Sequence, residues 1–262
     1  MFVKSVYKLF SIYYNNYQLE SGVMQRYFGV RKDDKYLYLE KSDYHHIKNV
    51  MRNNDGDLVE VVVDNKLYLG CIENVKSDIN ILIEKELEIE EDFIPKVNII
   101  IPILKEQKMD LILQKACEFG VSKITILPLK RCVVKVDSKK IKSKLDRWCR
   151  ILKEASEQSF RCSIPDIELV DSIKNLSNLD GLKITCSTKK NLENVKMVLK
   201  KNKKCDTINV VIGPEGGLDN SEEEILNELG FLSTTLGSRI MRVESVPLFI
   251  MSIINYEYMS VD

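Results

Sequence analysis

Val210-Val211-Ile212-Gly213-Pro214-Glu215-Gly216-Gly217-Leu218 is the stretch on which the fold turns. An unbroken apolar run, too short for a helix and rich in β-branched residues, runs straight into a glycine-rich loop. A helix is predicted directly after it, over 221–229, with Ser221 and Glu224 spaced as a capping box. Strand, Gly loop, helix is the unit of an open α/β sheet, and such sheets bind their ligands at the carboxyl ends of strands. Glycines there let backbone approach a ligand closely, although a plain tight βα turn would use the same residues. A phosphate loop is excluded: no Gly-Lys-Ser/Thr follows, and Glu215 would repel phosphate.

Working outward, the same alternation holds from Lys96 to the end of the chain. Strands are predicted at 97–103, 122–127, 182–187, 208–212 and 231–236. Helices are predicted at 107–119, 138–158, 192–201, 221–229 and 243–258, with Pro247 tolerable in a first turn. This pattern implies a mainly parallel sheet covered on both faces. The next strand end repeats the theme: Leu236-Gly237-Ser238-Arg239-Ile240-Met241-Arg242-Val243-Glu244-Ser245 sets two arginines and a glutamate between a strand and the closing helix. Two Gly loops at two strand ends suggest one pocket, without identifying its ligand. Glu244 also suits a bare helix start, near the positive end of the dipole.

Upstream the period changes. Residues 24–83 carry short apolar runs, 58–63 and 67–72, separated by turn residues. Asp64-Asn65 between them predicts a hairpin, and a small β-barrel suits the whole segment, with 45–52 as a short helix. The acidic run 84–92 followed by Pro95 reads as a solvated edge strand plus linker and marks a domain boundary. Three parts result: an extension at 1–23, a barrel at 24–92 and an α/β domain at 93–262.

Formal net charge is zero, so global balance does not announce a nucleic-acid binder. Local charge does. Lys130, Arg131, Lys135, Lys139, Lys140, Lys142, Lys144, Arg147, Arg150 and Lys153 face only Asp137 and Asp146, an imbalance that favours a phosphate-backbone footprint over an ordinary solvated face. In the helix that follows, Trp148, Leu152 and Ala155 share one face and Glu154, Gln158 and Arg161 another. The tryptophan is read as core. The seven cysteines are scattered, with no C-x-x-C pair, and the only histidines are His45 and His46. No metal site is expected, and reduced thiols in a cytoplasmic protein are. No segment nears the roughly 18 apolar residues of a membrane span. Residues 1–23 are aromatic and Asn-rich, interrupted by Lys4, Lys8 and Asn15; they read as a loose extension, or Met24 is the true start.

The ordered set of motifs resembles one family. Met24-Gln25-Arg26-Tyr27-Phe28 comes first, then His45-His46, Val50-Met51-Arg52 and Gly56-Asp57. Lys108-Met109-Asp110 follows, with Gln114-Lys115-Ala116-Cys117-Glu118-Phe119-Gly120-Val121. Next are Arg147-Trp148, Glu154-Ala155-Ser156-Glu157-Gln158-Ser159 with Arg161, and the two Gly loops. Each piece is weak alone, but in this order they are similar to the ribosomal RNA small subunit methyltransferase E family, from Met24 to the end. The family usually carries a second basic residue at Gln25, and Arg-Thr-Glu-Thr-Ala over 242–246; here Ser245 keeps a hydroxyl and Val243 does not.

The resemblance implies a PUA-like RNA-binding barrel followed by an α/β SPOUT domain with a deep C-terminal trefoil knot. It implies a homodimer that methylates N3 of a uridine of 16S rRNA in the 30S ribosomal subunit, with S-adenosyl-L-methionine as cofactor and neither membrane nor metal. The cofactor would touch Ile212, Gly213, Pro214, Glu215, Gly216, Leu236, Gly237, Ile240, Met241 and Arg242. The RNA would meet Arg26, His46, Arg52, Arg131, Arg147, Gln158 and Arg161. Arg242 is the expected donor to the uracil oxygens, because a guanidinium is always charged and donates in a fork. Glu244 and Glu157 are the candidate bases, with a structural salt bridge the competing role for either. Two other readings stay open. One is an enzyme of the same superfamily with another RNA target such as a ribose hydroxyl of tRNA, against which the Glu-Ala-Ser-Glu-Gln-Ser helix and the PUA-like front both argue. The other is a non-catalytic RNA-binding module, which cofactor binding would distinguish.

Overall fold

The computed structural model describes residues 24–75, 78–89, 95–135 and 139–259. The chain divides into two compact units, Met1–Glu90 with Phe160–Ser163, and Glu91–Ser159 with Ile164–Asp262. The expected extension at 1–23 lies outside the described residues.

In the first unit, strands β1 (Arg26–Arg31), β2 (Tyr36–Leu39), β3 (Leu58–Val63), β4 (Lys66–Glu73) and β5 (Asn80–Leu87) close a barrel in the order β1-β2-β5-β4-β3. The expected hairpin joins β3 to β4, with Val63 opposite Lys66. Asp64 and Asn65 both take left-handed backbone, φ +50° and +60°, as a two-residue hairpin turn requires and as Asx residues tolerate. Period-two alternation sends Val59, Val61 and Val63 inward to pack with Tyr27, Leu37, Leu39, Ile72 and Ile81. Closure comes from parallel pairing of β1 with β3, a long-range pairing with no local signal. At a bulge in β4, a Cβ on Gly70 would lie 2.2 Å from Ile81 Cγ2, so only glycine fits. The short helix expected at 45–52 begins earlier, as α1 (Lys41–His45), and continues as a π-helical turn, His46–Met51. Arg52 ends it in the left-handed conformation, φ +57°.

The second unit holds seven parallel strands: β6 (Lys96–Ile101), β7 (Lys123–Ile126), β8 (Asp166–Leu169), β9 (Leu182–Cys186), β10 (Glu193–Asn194), β11 (Thr207–Ile212) and β12 (Leu232–Thr235). Their order is β10-β12-β9-β11-β6-β7-β8. The helices are α2 (Glu106–Glu118), α3 (Ile141–Gln158), α4 (Val195–Lys201), α5 (Asn220–Glu228) and α6 (Ser245–Tyr258). Alternate residues of β11 serve opposite faces. Val210 and Ile212 join a core with Met109, Leu113, Trp148, Leu152 and Ile250, while Val211 joins Ile100, Leu127, Leu226 and Phe231 on the other side. Each fully buried aliphatic side chain contributes about 1.5–3 kcal/mol of transfer free energy, which is why β11 reads as continuous apolar sequence.

Local expectations shift at the ends. Helix α4 is shorter than 192–201, because the Asn194 side chain accepts from the Lys196 N–H at 2.9 Å and caps it there. Helix α6 starts at Ser245, whose N–H turns back to Arg242 O at 2.9 Å. The capping box of α5 is Asp219 with Glu222, not Ser221 with Glu224. Both pairs have the right spacing, and the buried Leu218 draws the chain into the core three residues before Ser221, directly ahead of Asp219. Strand β8 and a 3-10 turn, Ile173–Asn178, add to the expected elements.

Candidate active site

Strand β11 ends at Ile212 and opens into loop 213–218; strand β12 ends at Thr235 and opens into 236–244. Both point to the carboxyl edge of the sheet, with β9 between them. The first loop is braced internally. Gly217, at φ +71°, donates its N–H to Pro214 O at 2.8 Å. A Cβ on Gly213 would stand 3.0 Å from the Leu218 N and 3.1 Å from its Cγ, so glycine here makes room for the loop itself.

Arg131, an expected RNA contact, holds this loop: one nitrogen donates to Gly216 O and Leu218 O, each at 3.1 Å, and another meets Asp219 at 3.3 Å. The Lys130 N–H donates to Glu222 Oε1 at 2.7 Å. The next carboxylate of α5, Glu223, accepts from Ser187 Oγ at 2.9 Å and pairs with Lys189, tying down the loop after β9. The first turn of α5 therefore fixes three neighbouring loops, a role no single motif announced. The Asp219 carboxyl is held at about 2 by hydrogen bonds from the Ser221 hydroxyl and N–H, with Lys130 adding to them.

The second loop is open. Gly237 adopts φ +123° with nothing within 4 Å of where a Cβ would be. Ile240 is 84% exposed beside it. Arg239 and Arg242 are exposed, and among the described residues no hydrogen bond or ion pair engages either guanidinium. Between the two loops, the buried hydroxyl of Thr185 near the end of β9 has no hydrogen-bond partner among the described residues.

One side chain joins the loops. Lys108 Nζ, from the first part of α2, lies 2.9 Å from Glu215 Oε1 and 3.1 Å from Glu244 Oε2. The hydrogen bond to Glu215, and then the contact with the Glu244 carboxylate, raise the Lys108 ammonium above its ordinary value. Burial pushes Glu215 up, but hydrogen bonds from Lys108 and its own N–H outweigh it and leave the carboxyl lowered. Glu244 is lowered by its own backbone N–H, then by Lys108 and the charge of Arg242, against the effect of burial. In the sequence Lys108 stands within the Lys108-Met109-Asp110 motif, and nothing in its local pattern ties it to the two loops.

The remaining candidates lie elsewhere. On α3, Trp148, Leu152 and Ala155 are buried as expected. The other candidate, Glu157, is buried and held by Lys153 of its own helix at 2.7 Å. Arg147 is paired with Glu106 at 2.7 Å and with Asp110, and with Gln158 it lines a cleft of about 340 Å³ between α2 and α3. In the barrel unit, Arg26 is buried in an ion pair with Glu60 at 2.7 Å and donates to Phe160 O. His46 Nδ1 meets the Tyr27 hydroxyl at 3.0 Å, Arg52 is exposed, and Arg161 Nε donates to Ser163 O at 3.1 Å.

Residues 91–255 match the family described as RNA methyltransferase domain, and residues 39–86 match RNA methyltransferase PUA domain. The chain is 32% identical over 224 residues to the ribosomal RNA small subunit methyltransferase E of Bacillus subtilis (strain 168), covering 82% of this chain and 88% of that one. It is 31% identical over 233 residues to the protein of the same name from Mesomycoplasma hyopneumoniae (strain 232), covering 87% and 98%. Among solved structures, a putative methyltransferase from Legionella pneumophila, in complex with the bound cofactor SAM, is similar with a TM-score of 0.81 and 26% identity, over 89% of this chain and 97% of that one.

Proposed function

The chain belongs to the ribosomal RNA small subunit methyltransferase E family, and on that premise we propose that it transfers a methyl group from S-adenosyl-L-methionine to N3 of a specific uridine of 16S rRNA in the 30S subunit. Its PUA-like barrel and SPOUT-like α/β domain are the two parts such an enzyme needs. The observation that carries the reading is the second loop: Gly237 leaves open space where a side chain would stand, beside an uncommitted Arg242, on a loop that Lys108 ties to the first. The residues suit the cofactor. Ile240, Met241 and Leu236 offer apolar contact to a purine ring, the Gly213 and Gly237 backbones offer amide groups, and the Thr185 hydroxyl offers one unused buried polar atom. A trefoil knot formed by these loops, a homodimer and a cytoplasmic location belong to the same proposal; among the described residues no helix is long and apolar enough to cross a membrane.

S-adenosyl-L-methionine supplies, when bound, an electrophilic methyl group on a sulfonium. The chain's own task is then to hold the base in line and to stabilise the charge that grows on O2 and O4 as N3 loses its proton. Arg242 donates to those oxygens. As the methyl–sulfonium bond breaks and the N3–methyl bond forms, the N3 proton passes to a carboxylate and on to solvent, with Glu244, engaged by Lys108, and Glu157, engaged by Lys153, as the two candidate acceptors. The base must be unpaired or flipped to reach the loops. Arg52, His46, Arg147, Gln158 and Arg161 meet the surrounding RNA; Arg131 and Arg26 support this from within, bracing the first loop and the Phe160–Ser163 segment. Mass-spectrometric mapping of 16S rRNA from a strain lacking the protein tests the proposal. One uridine should lose its N3-methyl group and regain it on incubation of the 30S subunits with protein and S-adenosyl-L-methionine; unchanged rRNA would refute it.

A further inference from the structure

Lys108 lies on neither loop. It sits on α2, whose buried face of Met109, Ile112, Leu113, Ala116 and Cys117 is fixed in the core, so its stem rises from an immobile base. The two carboxylates it meets leave strands that are not neighbours, since β9 separates β11 from β12. Among the described residues, then, the sheet ladder does not couple the loops, and the Lys108 ammonium does. Without that cation, Glu215 and Glu244 would face one another as like charges, and the enclosed Glu244 Oε2 would lose its ionic partner.

We propose that Lys108 is a positioning residue that couples loop 213–218 to loop 236–244 and, through Glu244, sets the place of Arg242 two residues earlier. The functional part of this inference rests on the reading that the two loops hold S-adenosyl-L-methionine; the coupling itself does not. A compact ammonium with three donors on a flexible stem suits two acceptors from different directions, and an arginine fork reproduces the charge with poorer geometry.

The test uses the full chain as wild type, Lys108→Met and Lys108→Arg, with hydrogen–deuterium exchange and S-adenosyl-L-methionine calorimetry. In Lys108→Met the amides of both loops should exchange faster together while those of β6 and β11 stay protected, and the cofactor dissociation constant should rise about tenfold. Lys108→Arg should recover most of both effects, which general destabilisation would not. In a Glu215→Gln/Glu244→Gln background, Lys108→Met should add nothing further. Unchanged exchange in folded Lys108→Met, faster exchange in one loop alone, or an equal added loss in that background would each overturn the coupling. If Lys108→Met does not fold, Glu215→Gln alone must loosen 236–244, and failure to do so overturns it equally. If the wild type binds no S-adenosyl-L-methionine, the functional reading falls and exchange alone decides the role of Lys108.

Discussion

Arg242 is the residue on which catalysis is expected to depend. It is exposed, uncommitted, and two residues before a carboxylate that is tied down. If it stabilises charge only as N3 attacks, Arg242→Ala should depress turnover on 30S subunits on the order of a hundredfold, roughly 3 kcal/mol, while cofactor affinity by calorimetry changes far less. Arg242→Lys should recover part of the rate, keeping the charge but not the fork. A wild-type rate in folded Arg242→Ala would end the assignment. Equal losses in affinity and turnover would move Arg242 into the cofactor pocket and bring Arg239 or Arg161 forward. At this scale, motif spacing does not tell a free arginine from one already engaged. Arg242, Arg131 and Arg26 read alike in sequence. Burial and partners separate them: Arg131 is bound to the Gly216 and Leu218 carbonyls, and Arg26 is enclosed with Glu60.

Helix α5 is the element whose start organises the site. Its cap is Asp219, so Asp219→Ala should lower the midpoint of a denaturant titration clearly, and Glu224→Ala should change it little. If the Ser221–Glu224 box capped the helix, that ranking would reverse. The depressed carboxyl gives a pH signature with a definite sign. Its folded value, about 2, lies below the ordinary 3.8. Its stabilisation is therefore fully present above the unfolded value and is lost as pH falls through the folded one. Melting temperature followed from pH 5 to pH 2 should fall more steeply for the wild type than for Asp219→Asn; parallel curves would contradict it. Element identity was legible because period 2 and period 3.6 differ plainly over 58–63 and 145–155. Element ends were less so, since Asp219/Glu222 and Ser221/Glu224 present the same chemistry two residues apart.

For the whole molecule, α6 and the loop before it leave apolar surface uncovered in the single chain. Ile240 and Tyr256 are each 84% exposed, Met259 is 53% and Phe249 is 39%, and Phe249, Ile253 and Tyr256 fall on one helical stripe. The proposed homodimer would cover that stripe. Phe249→Glu/Tyr256→Glu should then sediment as a monomer and lose rRNA methylation, while far-ultraviolet circular dichroism stays as in the wild type. A wild type that sediments as a monomer, or a variant that stays dimeric, would remove this face from the assembly. Composition and period alone determined that a strand-rich front precedes a parallel α/β sheet, and that two Gly loops lie at strand ends, because burial periodicity and backbone freedom are properties of neighbouring residues. The ordered motifs carried the family. What only the tertiary structure decided was contact across long separations: the β1–β3 closure of the barrel, the strand order that sets β9 between the two loops, and the meeting of Lys108 with Glu215 and Glu244. A lysine 107 residues away from its glutamate leaves no trace in local pattern, since its energy depends on a distance that exists only once the chain has folded.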